Sequence, residues 1–177
     1  MNPFESWLIA PISAMISLLV GFYLYYHVNK QSSGTKRMKE ISEAIKEGAD
    51  AFLKREYTIL AIFVFIVAIV LGIFLPKPLW DAEVNLVDNL SLALAYMFGA
   101  FCSALAGFFG MDVATRANAK AAQAAKEGLN KAFPVGFRGG AVMGLAVVGF
   151  SLLGLSIVYG ITRDPGIVLG FSFGASA

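Results

Sequence analysis

Charge is scarce in this chain. Asp, Glu, Lys and Arg make up 15% of its 177 residues and 58% are hydrophobic, whereas a soluble domain of this size carries about 25% charge. There is one cysteine, Cys102, so no intrachain disulfide can form, and it lies inside an apolar run where it says nothing of the redox compartment. There is one histidine, His27, at the end of the first apolar run. With no second histidine and no carboxylate inside a span to relay a proton or complete a ligand set, it reads as an interfacial residue. A net charge of +2 is too small, and too mixed in sign, for a nucleic-acid footprint. The sequence has no Walker A loop, dinucleotide fingerprint, HExxH or CxxC, and its carboxylates fall in loops, so no catalytic, cofactor-binding or metal-binding residue is expected in it.

What the chain has instead is long charge-free runs. Ser6 to His27, Tyr57 to Leu75, Leu90 to Met111 and Gly139 to Ile161 contain no Asp, Glu, Lys or Arg over 22, 19, 22 and 23 residues. A helix needs about 20 apolar residues to cross a hydrocarbon core of ~30 Å. A single Lys or Asp at the centre of any run would cost about 2.5 to 3.5 kcal/mol on insertion. The first run is not a signal peptide by pattern, because no basic residue precedes it and no small-residue cleavage site follows. The expected fold is therefore all-α: a polytopic transmembrane helix bundle with four full spans, about 6–27, 57–75, 90–111 and 139–161, and helical cytoplasmic extensions.

Twelve of the fourteen Lys and Arg residues lie in two connections, Lys30 to Arg55 and Arg116 to Arg138. The alternate connections hold only Lys77 and Arg163, against Asp81, Glu83, Asp88 and Asp164, and Glu5 alone precedes the first run. Basic residues near span ends stay on the cytoplasmic side, which places the N-terminus outside. Trp7, Tyr25, Tyr26, Tyr57 and Trp80 fall at span ends, where amphipathic rings favour the headgroup layer. Pro165 then opens another apolar run, with residues 166–177 as the start of a fifth helix. Twelve residues are too few to cross, so the expectation is that residues 1–177 form the N-terminal part of one multi-span domain of a longer protein.

Small residues set the packing expectations. Ala95, Gly99, Ser103 and Gly107 recur every fourth position in the third span, and Gly140 and Gly144 share that spacing in the fourth, followed by Gly149 and Gly154. Such ridges let helix backbones approach closely in lipid, so the two spans are expected to pack on each other or on further helices. Ahead of the second span, Met38, Ile41, Ile45, Ala49 and Phe52 recur at helical spacing, with Lys36 and Glu40, and Lys39 and Glu43, one turn apart. Five acids accompany the basic residues of this amphipathic stretch, so its apolar stripe is expected to meet neighbouring helices rather than the membrane surface. Asp112 and Arg116 stand one turn apart just past the third span, on an alanine-rich helical stretch, and are expected to form a cytoplasmic ion pair. Gly128 reads as a helix stop and Pro134 fits a helical entry to the fourth span.

Three stretches resemble the membrane-integral inorganic pyrophosphatases, ion pumps driven by pyrophosphate hydrolysis. They are ISEAIKEGADAFLKREY (Ile41 to Tyr57); GFFGMDVATRANAKAAQAAKEGL followed by FRGGAVMGLAVVGFSLLGL (Gly107 to Leu155); and GFSFGASA (Gly170 to Ala177). Their order and spacing also match, and the resemblance covers nearly the whole chain. One departure is Lys120 and Ala121, where many relatives carry Arg and Thr. The resemblance implies the outer-ring N-terminal helices of a homodimeric pump in a prokaryotic cell membrane. It also implies magnesium and pyrophosphate bound by residues past Ala177, and export of protons or, in some relatives, sodium. The fragment alone is expected to be inactive. A non-enzymatic membrane scaffold is the reading from a different class, and a secondary transporter a third, though no internal repeat is evident.

Overall fold

The structure, a computed structural model, describes residues 3–74 and 86–177. Leu75, Lys77, Trp80, Asp81 and Glu83, used above to read spans and sidedness, lie outside the described residues, as does the side chain of Glu5. The described chain is helical: α1 (Pro3–Asn29), α2 (Lys36–Phe74), α3 (Leu86–Ala125), α4 (Leu129–Thr162) and α5 (Pro165–Ala175). The first four are long and apolar enough to cross a membrane, and α5 is a shorter apolar helix. The chain is a multi-pass integral membrane protein.

Length separates span from extension. At about 1.5 Å per residue, the 39 residues of α2 and 40 of α3 run about 60 Å, twice the ~30 Å hydrocarbon core. The charge-free runs account for the crossing halves. The charged halves, Lys36 to Glu56 of α2 and Asp112 to Ala125 of α3, therefore project beyond the apolar layer.

Helix ends follow local chemistry. The Thr35 hydroxyl accepts the amide of Met38 at the start of α2 (3.4 Å), satisfying a donor that the first turn leaves orphaned. Gly128, with φ +110°, makes the left-handed turn between α3 and α4 that a side chain would resist. Asp164 caps α5 by accepting the Gly166 amide at 2.7 Å, with Pro165 in the first turn. Pro134 lies in the entry to the fourth span but not at the helix start: α4 begins at Leu129 and carries Pro134 inside it. The turn at Gly128 already starts the helix, so the proline costs one backbone bond in the second turn.

The chain forms two compact units, and each of α1 to α4 contributes to both. The first takes α1 as far as Met15 together with Glu56–Leu105 and Phe150–Ala177. In it α2 meets α3 through Val64, Ala68, Ala93, Tyr96 and Ala100, and α3 meets α4 and α5 through Ala95, Cys102, Val158, Ile167 and Phe171. The second comprises Ile16–Arg55 and Ala106–Gly149. Its apolar centre is Val28, Val113, Ala117 and Val142. Because lipid offers apolar side chains as good a home as a neighbouring helix does, exposed Ile and Phe within the runs, such as Ile12, Phe63 and Phe101, need no protein cover.

Candidate functional site

The polar chemistry of the second unit gathers on the charged half of α3. Asp112, the first residue past the charge-free run, accepts from Arg116 Nε at 2.9 Å and from the Tyr25 hydroxyl of α1 at 3.0 Å. Lys46 Nζ of α2 stands 3.4 Å from its other oxygen. One carboxylate thus ties three helices. Burial alone raises its pKa, but hydrogen bonds from Arg116 and Tyr25, the Arg116 charge and the Lys46 contact outweigh it, so the group stays below the ordinary carboxylate value. The expected pair of Asp112 and Arg116 is present as a hydrogen-bonded contact. Neither Tyr25, a span-end ring, nor Lys46, one charge of the basic connection, is near Asp112 in sequence, so only the fold brings them to it.

Two turns on, Lys120 is buried, 7% exposed. Its ammonium donates to the Val28 carbonyl at 3.0 Å and to Asn29 Oδ1 at 3.1 Å. These are the last residues of α1, whose final carbonyls lack intrahelical donors and carry the negative end of the helix dipole. Lys120 is therefore a cap supplied from another helix. Burial, and secondarily the Arg116 charge, hold its pKa below the usual lysine value.

The small residues divide into filled and open sets. In the first unit α3 and α5 touch backbone to backbone. A Cβ on Gly99 would overlap the Phe171 carbonyl, one on Gly174 would overlap the Tyr96 carbonyl, and one on Gly170 would lie 2.7 Å from the Leu92 carbonyl. Ala95 is buried on the same face, and Ser103 and Gly107 are half-buried. The ridge of the third span thus seats α5 along Ala95 and Gly99. Among the described residues, a Cβ at Gly140 or Gly144 would meet nothing within 4 Å. Contact between α3 and α4 runs instead through Gly139 against Ala117, Gly110 against Met143, and Gly154 against Cys102. Gly139, Val142 and Ala146 form the buried side of α4, turned away from Gly140 and Gly144.

Two further features went unread in the sequence. Tyr57, expected at the interface, donates its hydroxyl to the Ala104 carbonyl at 2.8 Å. Asn89 is fully buried and, among the described residues, neither of its side-chain polar atoms has a partner. Among the aromatic span ends, Lys30 lies over the Tyr26 ring at 4.5 Å and Arg163 over Trp7 at 5.2 Å, and His27 is tilted against Tyr23.

Among the described residues, no group of three His, Cys, Asp or Glu could hold a metal ion. The one carboxylate-centred cluster does not suit magnesium either. Asp112 is already occupied by two cations and a hydroxyl, and Mg²⁺ binds oxygen ligands and phosphates rather than sites flanked by ammonium and guanidinium. The arrangement locks helices together.

The profile of the family described as inorganic H+ pyrophosphatase matches residues 15–177. The chain belongs to that family. It is 42% identical to a K(+)-insensitive pyrophosphate-energized proton pump of Methanosarcina mazei, over 94% of this chain and 23% of the relative. It is also 42% identical to a pyrophosphate-energized proton pump of Moorella thermoacetica, over 97% of this chain and 24% of that one. A K(+)-stimulated pyrophosphate-energized sodium pump of Thermotoga maritima is likewise 42% identical, over 75% of this chain and 17% of the relative. The chain spans about a quarter of the length of the first two relatives. In this chain Asp112 ties α1, α2 and α3 together and Lys120 fastens α3 to the end of α1.

Proposed function

We propose that this chain is the N-terminal helical part of a membrane pump that couples hydrolysis of inorganic pyrophosphate to export of protons from the cytoplasm. The observation that carries the reading is the family match over residues 15–177 together with relatives named as pyrophosphate-energized proton pumps. The substrate site, with its magnesium ions, is assigned to the remainder of a family-length polypeptide on the family resemblance, because the chain spans about a quarter of the relatives' length. The role of these helices is then structural: charge-free spans form part of a single membrane domain, and the cluster at Asp112 and Lys120 fastens their projecting ends. The basic connections support a cytoplasmic placement for that cluster, with the N-terminus outside; the prokaryotic cell membrane and the homodimeric assembly are proposed from the family resemblance alone.

The second reading, sodium export, is favoured by the sodium-pump relatives at similar identity. Both are tested with the full-length protein in inverted vesicles, measuring magnesium-dependent pyrophosphate hydrolysis and lumen acidification with and without sodium. Acidification that ignores sodium supports the proton pump, and a strict sodium requirement exchanges the ion. Membranes that carry the full-length protein and hydrolyse no pyrophosphate reject the pump and leave the membrane scaffold.

A further inference from the structure

The second half of α1 separates small side chains from large ones. Ser17, Gly21 and Val28 lie on the buried side, where the Ser17 hydroxyl donates to the Leu145 carbonyl at 2.9 Å and a Cβ on Gly21 would lie 3.4 Å from that of Leu145. The opposite side is open and carries large groups. Ile16, Leu19, Tyr23 and Tyr26 are 57%, 64%, 61% and 55% exposed, and helical spacing brings half-buried His27 and exposed Lys30 to the same face. Helices that pack on each other in lipid meet through small residues, as α1 does at Ser17 and Gly21. A side of large aliphatic groups suits acyl chains instead.

That open side also changes along its length as a bilayer does. Aliphatic Ile16 and Leu19 give way to Tyr23 and Tyr26, and these to His27 and Lys30. The charge-free run ends at His27, and Lys30 stands about 4.5 Å farther on, within a headgroup layer of about 5–8 Å. Both basic groups rest on a ring one turn back: Lys30 Nζ is 4.5 Å over the Tyr26 ring, and the His27 ring is 5.7 Å from that of Tyr23. Lys30 has no carboxylate partner among the described residues. Residues 6–39 contain no Asp or Glu, and Lys30, Lys36, Arg37 and Lys39 all precede the first acid, Glu40, to which only Arg37 turns. Four basic residues directly after a span, with no acid among them, complement a negatively charged lipid surface.

We infer that Tyr23, Tyr26, His27 and Lys30 form a binding site for the headgroup of an anionic phospholipid, whose acyl chains run along Leu19 and Ile16. The Lys30 ammonium and a His27 ring N–H donate to the phosphate, and the tyrosine hydroxyls donate to the ester oxygens below it. Phosphatidylcholine offers the same phosphate but sets a quaternary ammonium beside Lys30, so the site favours a headgroup of net negative charge. A basic residue at the membrane surface contributes about 1 kcal/mol toward anionic lipid, or about a fivefold preference. The inference stands on this chain's own residues and goes beyond the pump reading, so failure of that reading leaves it in place.

The test reconstitutes the full-length protein in phosphatidylcholine nanodiscs with a minor share of phosphatidylglycerol or phosphatidylcholine that carries a photo-activated diazirine near the glycerol end of one acyl chain. Adducts are mapped by mass spectrometry on the peptide from Leu19 to Gln31. Expected is labelling by the phosphatidylglycerol probe about fivefold above the phosphatidylcholine probe, kept in K30R, reduced to within about twofold in K30Q, and unchanged in K126Q, which removes an exposed lysine between α3 and α4. Excess inorganic phosphate should leave the labelling as it is, because a free anion has no acyl chain to hold it there. No adduct on this peptide would show that another helix covers it, and equal labelling by both probes would leave only bulk lipid; either overturns the inference. So would a preference that survives K30Q, falls equally in K30R or K126Q, or is abolished by inorganic phosphate. Pyrophosphate hydrolysis has no part in the readout, so the outcome is independent of the pump assay.

Discussion

Replacing Lys120 with Met removes a buried ammonium from the end of α1 while keeping an unbranched side chain of similar reach. The Val28 carbonyl and Asn29 Oδ1 lose donors at 3.0 and 3.1 Å, and Val28 is almost fully buried, so water does not readily replace them. Leaving one such acceptor unsatisfied costs about 1–3 kcal/mol, and losing a cation at a helix C-terminus adds about 0.3–1 kcal/mol. Against this, the substitution relieves the desolvation that lowers the Lys120 pKa. A net local loss of about 2 kcal/mol remains, which is roughly a 30-fold rise in the open population of that helix end. Hydrogen exchange read by mass spectrometry on peptides covering Leu24 to Gly34 of the full-length protein measures it directly. K120R, whose planar fork can serve both acceptors, should exchange within about threefold of the parent. Unchanged protection in K120M, or equal loss in K120R and K120M, would refute the assignment of Lys120 as the cap of α1.

Three other outcomes follow from the same geometry. Asp112 has a pKa below its ordinary 3.8, so its contribution to stability is complete above that value and lost as pH falls through the lower folded value. D112N should therefore be less stable than the parent at pH 6, by about 1–2 kcal/mol, and denaturant titrations of the two should converge as the pH falls through the lowered folded value; a gap that persists in strong acid would count against the carboxylate's charge as the cause. G174V drives a side chain into the Tyr96 carbonyl of α3 and should cost about 1–3 kcal/mol in thermal inactivation of the detergent-solubilised full-length protein, whereas G144A, facing open space within this chain, measures directly whether a further helix sits there. N89L should raise stability or leave it unchanged, because two polar atoms buried without partners among the described residues cost about 1–3 kcal/mol; a marked loss in the full-length protein would reveal a partner for Asn89 outside the described residues.

The Asp112 cluster is only partly buried, so it is expected to hold helices without dominating their stability. Lys46 and Arg116 are about two-fifths exposed, so their ion pairs are screened and each contributes at most about 1 kcal/mol. The Tyr25 bond to a charged acceptor, on a carboxylate that is only 18% exposed, is the stronger single tie. Pairs such as Arg37 with Glu40, exposed at 79% and 48%, add little to the start of α2.

Everything periodic or compositional about this protein was decided by its sequence alone. Charge-free runs of membrane length became α1 to α4, the amphipathic stretch from Met38 continued unbroken into the second span, Gly128 ended a helix, and Asp112 met Arg116 one turn away. Such features depend on neighbours within a few residues, so a single chain read end to end displays them. Tertiary structure alone decided which side of each helix faces another. Tyr25 finds Asp112 across 87 residues and Lys120 finds the end of α1 across 92, and glycines of equal spacing divide into filled ones at Gly99 and Gly174 and open ones at Gly140 and Gly144. In lipid both sides of a span are apolar, so hydropathy no longer marks the packed face, and only the rotation of each helix against its neighbours assigns it.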